Sequence, residues 1–401
     1  MTALPILVLN AGSSSIKFAC FSATSADQSL IASGAVEGIG SAGQGRCWLR
    51  DSAGSTLHDE AVDISDSADG FARIPRLLDA HPELPRPKAI GHRMVCSSPE
   101  VTENQRVTPA LIATIERYVH FAPLHTPPAL EILRHTLAAY PEVPNFIVLD
   151  SWFHRDLPPV ARSLPIPARY AALGVHRYGA HGISYESILN QLAPAIPERL
   201  IVAHLGNGSS ITAIRNGRSI DTSMGLTPTG GLISATRTGE IDPGVLLFLL
   251  REVARTTPSA ADAADTVERI VNRESGLLGV SGISNDMRTL RRAIAEGDAR
   301  ARLAVDLFTT AIRKFIGAYI AELGGLDLLV FTGGIGQHDS ATRAEVCRNL
   351  DVFGILLDSA RNTAHDAERI SADGSAVPVR TLPCAEEQVI VRHVLRLLAA
   401  G

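Results

Sequence analysis

Residues 200–214 read LIVAHLGNGSSITAI, two apolar runs joined by a turn dense in glycine, asparagine and serine. The chemistry open to such a turn is anion binding. Gly206 and Gly208 lack a Cβ, so the backbone is free to take positive φ and point successive N–H groups at a phosphate, while Ser209 and Ser210 add hydroxyl donors. Asn-Gly between apolar runs is equally the signal of an ordinary tight hairpin. An echo near the start of the chain favours the first reading: residues 7–18, LVLNAGSSSIKF, repeat the order of strand, polar turn and strand. A third glycine loop, Thr332, Gly333, Gly334, Ile335 and Gly336, follows the apolar run 326–331. Three such turns, each fed by an apolar strand, suit phosphates and a base that need close backbone approach at several points. Lys17 offers a cation for a transferred phosphate, or is a solvated strand lysine. The segment around it is no Walker-type loop, since it lacks the earlier glycine and has Phe18 where Ser or Thr should follow the lysine.

Two glycine hairpins, each opening what reads as its own domain, imply a duplicated fold whose paired loops face one nucleotide across a cleft. After the first hairpin, residues 30–36 form a third strand, a Gly- and Ser-rich stretch surrounds a weak strand near Trp48, and Phe71, Ile74, Leu77 and Leu78 fall at helical spacing before Pro82. A short strand at 88–91, a helix marked by Leu130, Leu133 and Leu137, and a strand at 145–149 delivering Asp150 complete a first lobe, 1–150. The proline-rich stretch 151–167 is a crossing. Strands at 200–204, 210–214 and 219–222 then restart the pattern, with helices through Arg255 and Asn272, a long helix at 302–323, a buried strand at 326–331 and a last strand at 377–382. The second lobe is 151–386, and a closing helix, 387–401, packs back on the first.

Size and composition agree with two ordinary domains. The chain has 401 residues, 45% of them hydrophobic and 20% charged, with a net charge of −5 that argues against a nucleic-acid surface. The five cysteines, Cys20, Cys47, Cys96, Cys347 and Cys384, are scattered without metal-type pairing, which reads as reduced thiols and a cytoplasmic location. No signal segment leads the first strand, and no apolar run approaches the ~20 residues that span a bilayer.

A series of motifs in one order identifies a resemblance: NAGSSSIK at 10–17, GHR at 91–93, FAPLH at 121–125, YGAHG at 178–182, HLGNG at 204–208, DTSMGLTP at 221–228 and FTGGIG at 331–336. Through these, spread over nearly the whole length, the chain resembles the acetate and propionate kinases. The resemblance implies the duplicated ribonuclease H-like, actin-like ATPase fold shared by acetate and sugar kinases, heat-shock ATPases and actin. It also implies reversible transfer of the ATP γ-phosphoryl group to a short-chain carboxylate such as acetate, giving ADP and acetyl phosphate, and a homodimer. The bare chemistry agrees. A carboxylic acid is already ionised at pH 7 and needs positioning and relief from charge repulsion rather than a general base.

Site roles follow from the same match. Arg93 corresponds to the substrate-binding arginine, and Val95, Leu124 and Pro228 to the lining of the acyl pocket. His181 and Arg237 correspond to the pair that stabilises charge on the transferring group. Asp150 corresponds to the catalytic aspartate, read here as orienting water or holding an arginine rather than as an obligatory base. ATP is assigned to Lys17, to His204, Leu205, Gly206, Asn207 and Gly208, to Asp286, Met287 and Arg288, and to Gly333, Gly334, Ile335, Gly336 and Gln337. Asn10 and Glu386 match the positions associated with Mg²⁺, or Mn²⁺ in its place. By spacing alone Glu386 is only an acidic residue in a first helical turn, and Arg93 or His181 alone reads as structural. His120, His125 and His154 lack zinc-type spacing.

The chain departs from the family pattern at Cys96-Ser97-Ser98 where His-Gly-Gly is usual, at Thr126 for Asn, at Tyr185 for a second His, and at Gln337-His338 for Glu-Asn. Two rivals share the glycine loops. A sugar kinase needs an acidic base for a hydroxyl, which Asp150 could supply, but does not call for two arginines and a histidine around a carboxylate. A chaperone-type ATPase switch calls for a further substrate-binding domain after Glu386.

Overall fold

The computed structural model describes every residue except Met1, Thr2, Ser13, Ser14, Ser25, Ala26, Ser41, Ala42, Gln44, Ser97, Leu124, Asp366 and Gly401. The chain divides into two compact units, 1–155 with 385–401, and 156–384.

In the first unit, β1 (Leu4–Ala11), β2 (Ser15–Ala23), β3 (Gln28–Glu37), β4 (Arg46–Asp51) and β5 (Thr56–Ala61) run as an antiparallel meander, followed by helix α1 (Ser67–Asp79). Strand β6 (Ala89–Met94) returns parallel to β1. After β7 (Gln105–Arg106), α2 (Pro109–Arg117) and α3 (Thr126–Ala139), β8 (Asn145–Leu149) lies parallel to β6, giving the order β5-β4-β3-β2-β1-β6-β8-β7. The prolines at 127 and 128 sit in the first turn of α3, where no intrahelical N–H is lost. One face of this sheet, with Leu7, Leu9, Phe18 and Ile90, packs on Phe71, Ile74 and Leu77 of α1. The next residue along β6, Gly91, points to the opposite face, and the chain's last helix (Glu386–Ala400) closes onto it. A Cβ at Gly91 would lie 2.6 Å from Ile390 Cγ2 and 2.9 Å from Val394 Cγ2, so only glycine permits this approach. That contact places Glu386 at the end of β6.

The second unit begins with α4 (Pro159–Arg162), α5 (Ala168–Ala171) and α6 (Gly182–Leu192). Strands β9 (Arg199–Leu205), β10 (Ser209–Arg215) and β11 (Arg218–Thr222) form an antiparallel meander. Helices α7 (Pro243–Val253), α8 (Ala260–Arg273), α9 (Gly276–Ser281), α10 (Met287–Ala295) and α11 (Ala299–Leu323) lead to β12 (Leu328–Thr332). After α12 (Gly333–His338), α13 (Ser340–Cys347) and α14 (Ser359–Thr363), β13 (Val379–Thr381) completes the order β11-β10-β9-β12-β13; the last helix is α15. The core joins Phe308, Ile312, Ile316 and Tyr319 of α11 to Ile201, Ala203, Ile211 and Ala213 of the hairpin and to Leu329 and Phe331 of β12. Strands β12 and β13 run parallel to β9 and β12 respectively.

The duplication is explicit in the strand orders. β3-β2-β1-β6-β8 in one unit and β11-β10-β9-β12-β13 in the other both have a three-stranded antiparallel meander whose first strand is followed in the sheet by two further strands, the nearer parallel to it and the farther parallel to the nearer. Two expectations need correction. The third glycine loop is the short helix α12, entered from β12 through Thr332 in extended conformation. The phosphate-nest picture of positive φ at Gly206 and Gly208 is not realised, since neither glycine is among those with φ above zero; Gly333, at the third glycine stretch, has φ 76°.

Candidate active site

The first unit gathers four polar side chains at the ends of its parallel strands. Arg93 pairs in register with Val148, and Asp150 follows the end of β8 with its N–H on the Met94 carbonyl at 2.9 Å. The Arg93 guanidinium grips Asp150 through two bonds, Nε to Oδ1 and Nη2 to Oδ2, each 3.0 Å. Its Nη1 donates to Asn10 Oδ1 at 3.3 Å and lies 3.6 Å from Glu386 Oε2, which accepts from Asn10 Nδ2 at 3.2 Å. Side-chain exposure is 18% for Arg93, 2% for Asp150 and 12% for Glu386. The fork of Arg93 matches a carboxylate's two oxygens, and it is the one partly exposed guanidinium of this group. Lys17 is exposed and pairs in register with Asn10 across the β1–β2 hairpin.

Sequence reasoning missed Glu387. Burial pushes its carboxyl above the ordinary range and the neighbouring Glu386 charge adds to that, while Lys17 and Arg93 pull it back. Asn10 and Glu386 offer an amide and a carboxylate oxygen side by side. That hard-oxygen set, with few protein ligands, fits an ion of the Mg²⁺ type that keeps most of its waters. Thr126, a departure from the family pattern, donates from Oγ1 to the Val95 carbonyl at 3.1 Å and so pins the strand end that carries the half-buried Val95. Cys96 is buried, its thiol pushed up to about 12 by burial, and the Ser98 hydroxyl accepts from the N–H groups of Glu100 and Val101. Leu124 lies outside the described residues.

The second unit builds its group on the β9–β10 turn. Leu205 pairs with Ser209 and His204 with Ser210, leaving Gly206, Asn207 and Gly208 as the loop. The Ser209 hydroxyl is spent on the turn, donating to the Gly206 carbonyl at 3.2 Å and accepting from its N–H at 3.3 Å, so it is no outward donor as expected. The value of Gly208 is space. A Cβ there would lie 3.2 Å from both Arg237 Nη1 and His181 Nε2, so these two groups converge over the glycine. Arg237 is steadied by its bond from Nη1 to the Pro228 carbonyl at 3.3 Å. His181 caps α6 with φ 57° and ψ 23°, a left-handed conformation rare for a non-glycine residue and of the kind stored at functional sites. Its Nδ1 shares a hydrogen bond of 2.8 Å with Ser210 Oγ, and its ring stacks on His204 with centroids 4.2 Å apart. His204 Nδ1 in turn shares a bond of 2.8 Å with Ser184 Oγ.

Of the other residues expected to meet ATP, those after β12 lie beside this turn. Thr332 pairs with His204, which brings Gly333 against Leu205; a Cβ on Gly333 would lie 2.6 Å from the Leu205 carbonyl oxygen. Gly334 has open space where its Cβ would be. Gly336 and Gln337 are held by their carbonyls, which accept from Nη1 of the buried Arg343 at 3.0 and 2.7 Å. Asp286 caps α10, accepting the Arg288 N–H at 2.8 Å. The Arg288 guanidinium, 89% exposed, bonds the Asp286 carboxylate and holds it below its usual range. Leu205 and Met287 have their side chains in the core, which leaves their main chains to meet a ligand. Arg291 ties α10 to α13 through Asp339 at 3.0 Å and Glu345 at 2.9 Å. Arg291 and Arg343 escaped sequence reasoning, because an arginine on a helix carries no sign of which carbonyls or carboxylates it will meet.

Comparison with known proteins decides the family. The profile of the acetokinase family matches residues 5–392. The chain belongs to the acetokinase family. Among its relatives, an acetate kinase of Leifsonia xyli subsp. xyli is 40% identical, covering 99% of each chain, and a propionate kinase of Citrobacter rodentium is 37% identical, covering 98% of this chain and 97% of that one. Among solved structures, Porphyromonas gingivalis acetate kinase matches with a TM-score of 0.83 at 33% identity, over 99% of this chain and 100% of that one. A propionate kinase from Francisella tularensis matches with a TM-score of 0.88 at 31% identity, over 98% and 100%. The duplication read from the two glycine hairpins, and the ribonuclease H-like fold that the resemblance implied, agree with membership of this family.

Proposed function

We propose that the chain is an acetate kinase: it transfers the γ-phosphoryl group of ATP to acetate, reversibly, giving acetyl phosphate and ADP. An acetate oxygen attacks the γ-phosphorus, the bond to the β,γ-bridging oxygen breaks, and that oxygen leaves with the electron pair on ADP. The observation that carries this reading is the grip of Arg93 on both oxygens of Asp150. A carboxylate engaged in this way is poorly placed to take a proton from a sugar hydroxyl, whereas acetate arrives without a proton to lose. Arg93 is assigned to the acceptor carboxylate. His181 and Arg237, converging over Gly208, are assigned to the charge that develops on the transferring phosphoryl oxygens. ATP is assigned to Lys17, the 204–208 turn, the main chain around Asp286 to Arg288, and α12.

Asn10 and Glu386 would hold Mg²⁺, or Mn²⁺, which when bound offsets phosphate charge. The Glu386 carboxylate also lies 3.6 Å from Arg93 Nη1.

Acetate is favoured over propionate, supported by the 40% identity to the Leifsonia xyli acetate kinase against 37% to the Citrobacter rodentium propionate kinase, and Val95 is assigned to the acyl group. A methylene is worth roughly 1 to 3 kcal/mol in a fitted pocket, so both acids should react. None of the five cysteines is joined in a disulfide, which supports a reducing, cytoplasmic setting, and no helix among the described residues is long and apolar enough to cross a membrane. Val245, Leu246, Leu247, Phe248 and Leu250 are exposed along α7, an apolar run that supports a homodimer; Phe248→Glu should then shift the mass in solution towards the monomer. The deciding assay is ATP-dependent ADP release with acetate, propionate, butyrate or glucose as acceptor. Acetate should give the highest kcat/KM and Val95→Ala should raise propionate relative to acetate. Turnover with glucose alone would replace this reading by a sugar kinase.

A further inference from the structure

Behind His181 lies a buried row of hydroxyls that the reaction above does not use. Ser210 Oγ shares a hydrogen bond with His181 Nδ1 at 2.8 Å and a second with the phenolic oxygen of Tyr185. Tyr185 and Ser210 are fully buried, and His181 is 8% exposed. Tyr185 stands one helical turn after His181 on α6, with its N–H on the His181 carbonyl at 3.1 Å, so one short piece of helix sets both ends of the row. Ser210 comes from β10, in register with His204, whose ring lies flat against that of His181. The imidazole is therefore gripped at Nδ1 and supported on one face, while Nε2 is the nitrogen directed at Gly208 beside Arg237.

We propose that Ser210 and Tyr185 are positioning residues that fix the tautomer of His181: the phenol donates to the serine hydroxyl, the serine hydroxyl donates to Nδ1, and the ring proton is kept on Nε2. The inference rests on the proposed phosphoryl transfer only for its consequence, since the row of bonds exists without it. A serine hydroxyl has one proton to give and lone pairs to receive; accepting both bonds would leave its own buried proton unmatched, at a cost, which favours polarising the two bonds at Ser210 in one direction or the other. A phenol is the more acidic of the two hydroxyls and the better donor, which sends the proton of Ser210 towards Nδ1. The opposite polarity would place the ring proton on Nδ1 and turn a nitrogen lone pair towards the phosphoryl oxygens, which repels where an Nε2–H attracts. Buried bonds in such a row polarise one another, so removing the phenol should weaken the preference even though it touches neither the ring nor a substrate.

The test is the nitrogen spectrum of His181 at pH 8, read by long-range ¹H–¹⁵N correlation on protein carrying ¹⁵N-histidine, with the resonance assigned by its loss in His181→Gln. The wild type should show the Nε2–H form. Ser210→Ala should shift the ring towards a mixture containing Nδ1–H and lower kcat by roughly 10- to 100-fold, with KM for ATP and acetate little changed. Tyr185→Phe, which keeps the ring volume, should move both readings the same way by less, and it carries the test if Ser210→Ala does not fold. An Nδ1–H ring or a doubly protonated ring in the wild type, or an unchanged tautomer in both variants, would overturn the proposal. The spectrum is read without substrate, so absence of kinase activity refutes the reaction and leaves the tautomer to be judged separately.

Discussion

Arg93 and Asp150 form a two-bond ion pair at the ends of adjacent parallel strands, with the carboxylate only 2% exposed and the guanidinium 18% exposed. Removing the arginine would strand a buried charge. Arg93→Ala should therefore lower stability by about 3 to 5 kcal/mol as well as raise KM for acetate at least tenfold. The double variant Arg93→Ala with Asp150→Asn should regain much of the stability and none of the acetate affinity. Chemical denaturation together with acetate titration separates the two effects; recovery of acetate affinity in the double variant would remove Arg93 from the substrate site.

His181→Ala and Arg237→Ala each take away one donor aimed over Gly208. Each should lower kcat by about two orders of magnitude or more, with a smaller change in KM. Steady-state kinetics checks this, and a loss confined to KM would show that the two bind the ground state only.

Glu386 begins α15 and accepts from Asn10 while facing Arg93. Glu386→Ala should raise the Mg²⁺ concentration needed for half-maximal rate by roughly 10- to 100-fold, and saturating Mg²⁺ should restore much of the rate. A Mg²⁺ titration identical to that of the wild type would take Glu386 out of the metal site.

His92 sits fully buried on β6 with Nε2 sharing a 2.7 Å hydrogen bond with Asn145 Oδ1. Burial pushes its imidazole from 6.5 down to about 4, against the upward pull of that bond. The ring is then neutral in the fold while the unfolded chain takes up a proton first. Stability is complete above pH 6.5 and is lost as pH falls from 6.5 towards 4, by up to roughly 3 kcal/mol from this group. Urea unfolding of the wild type and His92→Gln over that window should show the shallower decline in the variant; parallel curves would mean that other groups dominate.

The glycine hairpins were readable because an apolar strand, a polar turn and a second strand leave few alternatives; β9 and β10 start and stop within a residue of that reading, while β1 begins three residues before 7–18 and β2 runs five residues beyond it. The same logic failed where polarity hides a strand. β5 reads TLHDEA and is mostly exposed at the sheet edge, so no alternation marks it. It failed at the turn chemistry too, because a glycine's service can be the room it leaves for others. Gly208 makes space for His181 and Arg237, and Gly91 for α15, and neither could be told from a flexible glycine by type. Asp150 was readable at the end of an apolar strand as a carboxylate able to hold an arginine, but not that the arginine is Arg93, and the Ser210 and Tyr185 contacts behind His181 depend on how α6 sits against β10.

The central claim is formation of an acyl phosphate, and hydroxylamine traps one directly. Incubation of the purified protein with ATP, Mg²⁺, acetate and hydroxylamine should yield acetyl hydroxamate in step with ADP, and the yield should collapse in His181→Ala and Arg237→Ala. ADP release without hydroxamate, or no product above the enzyme-free blank, would contradict the account.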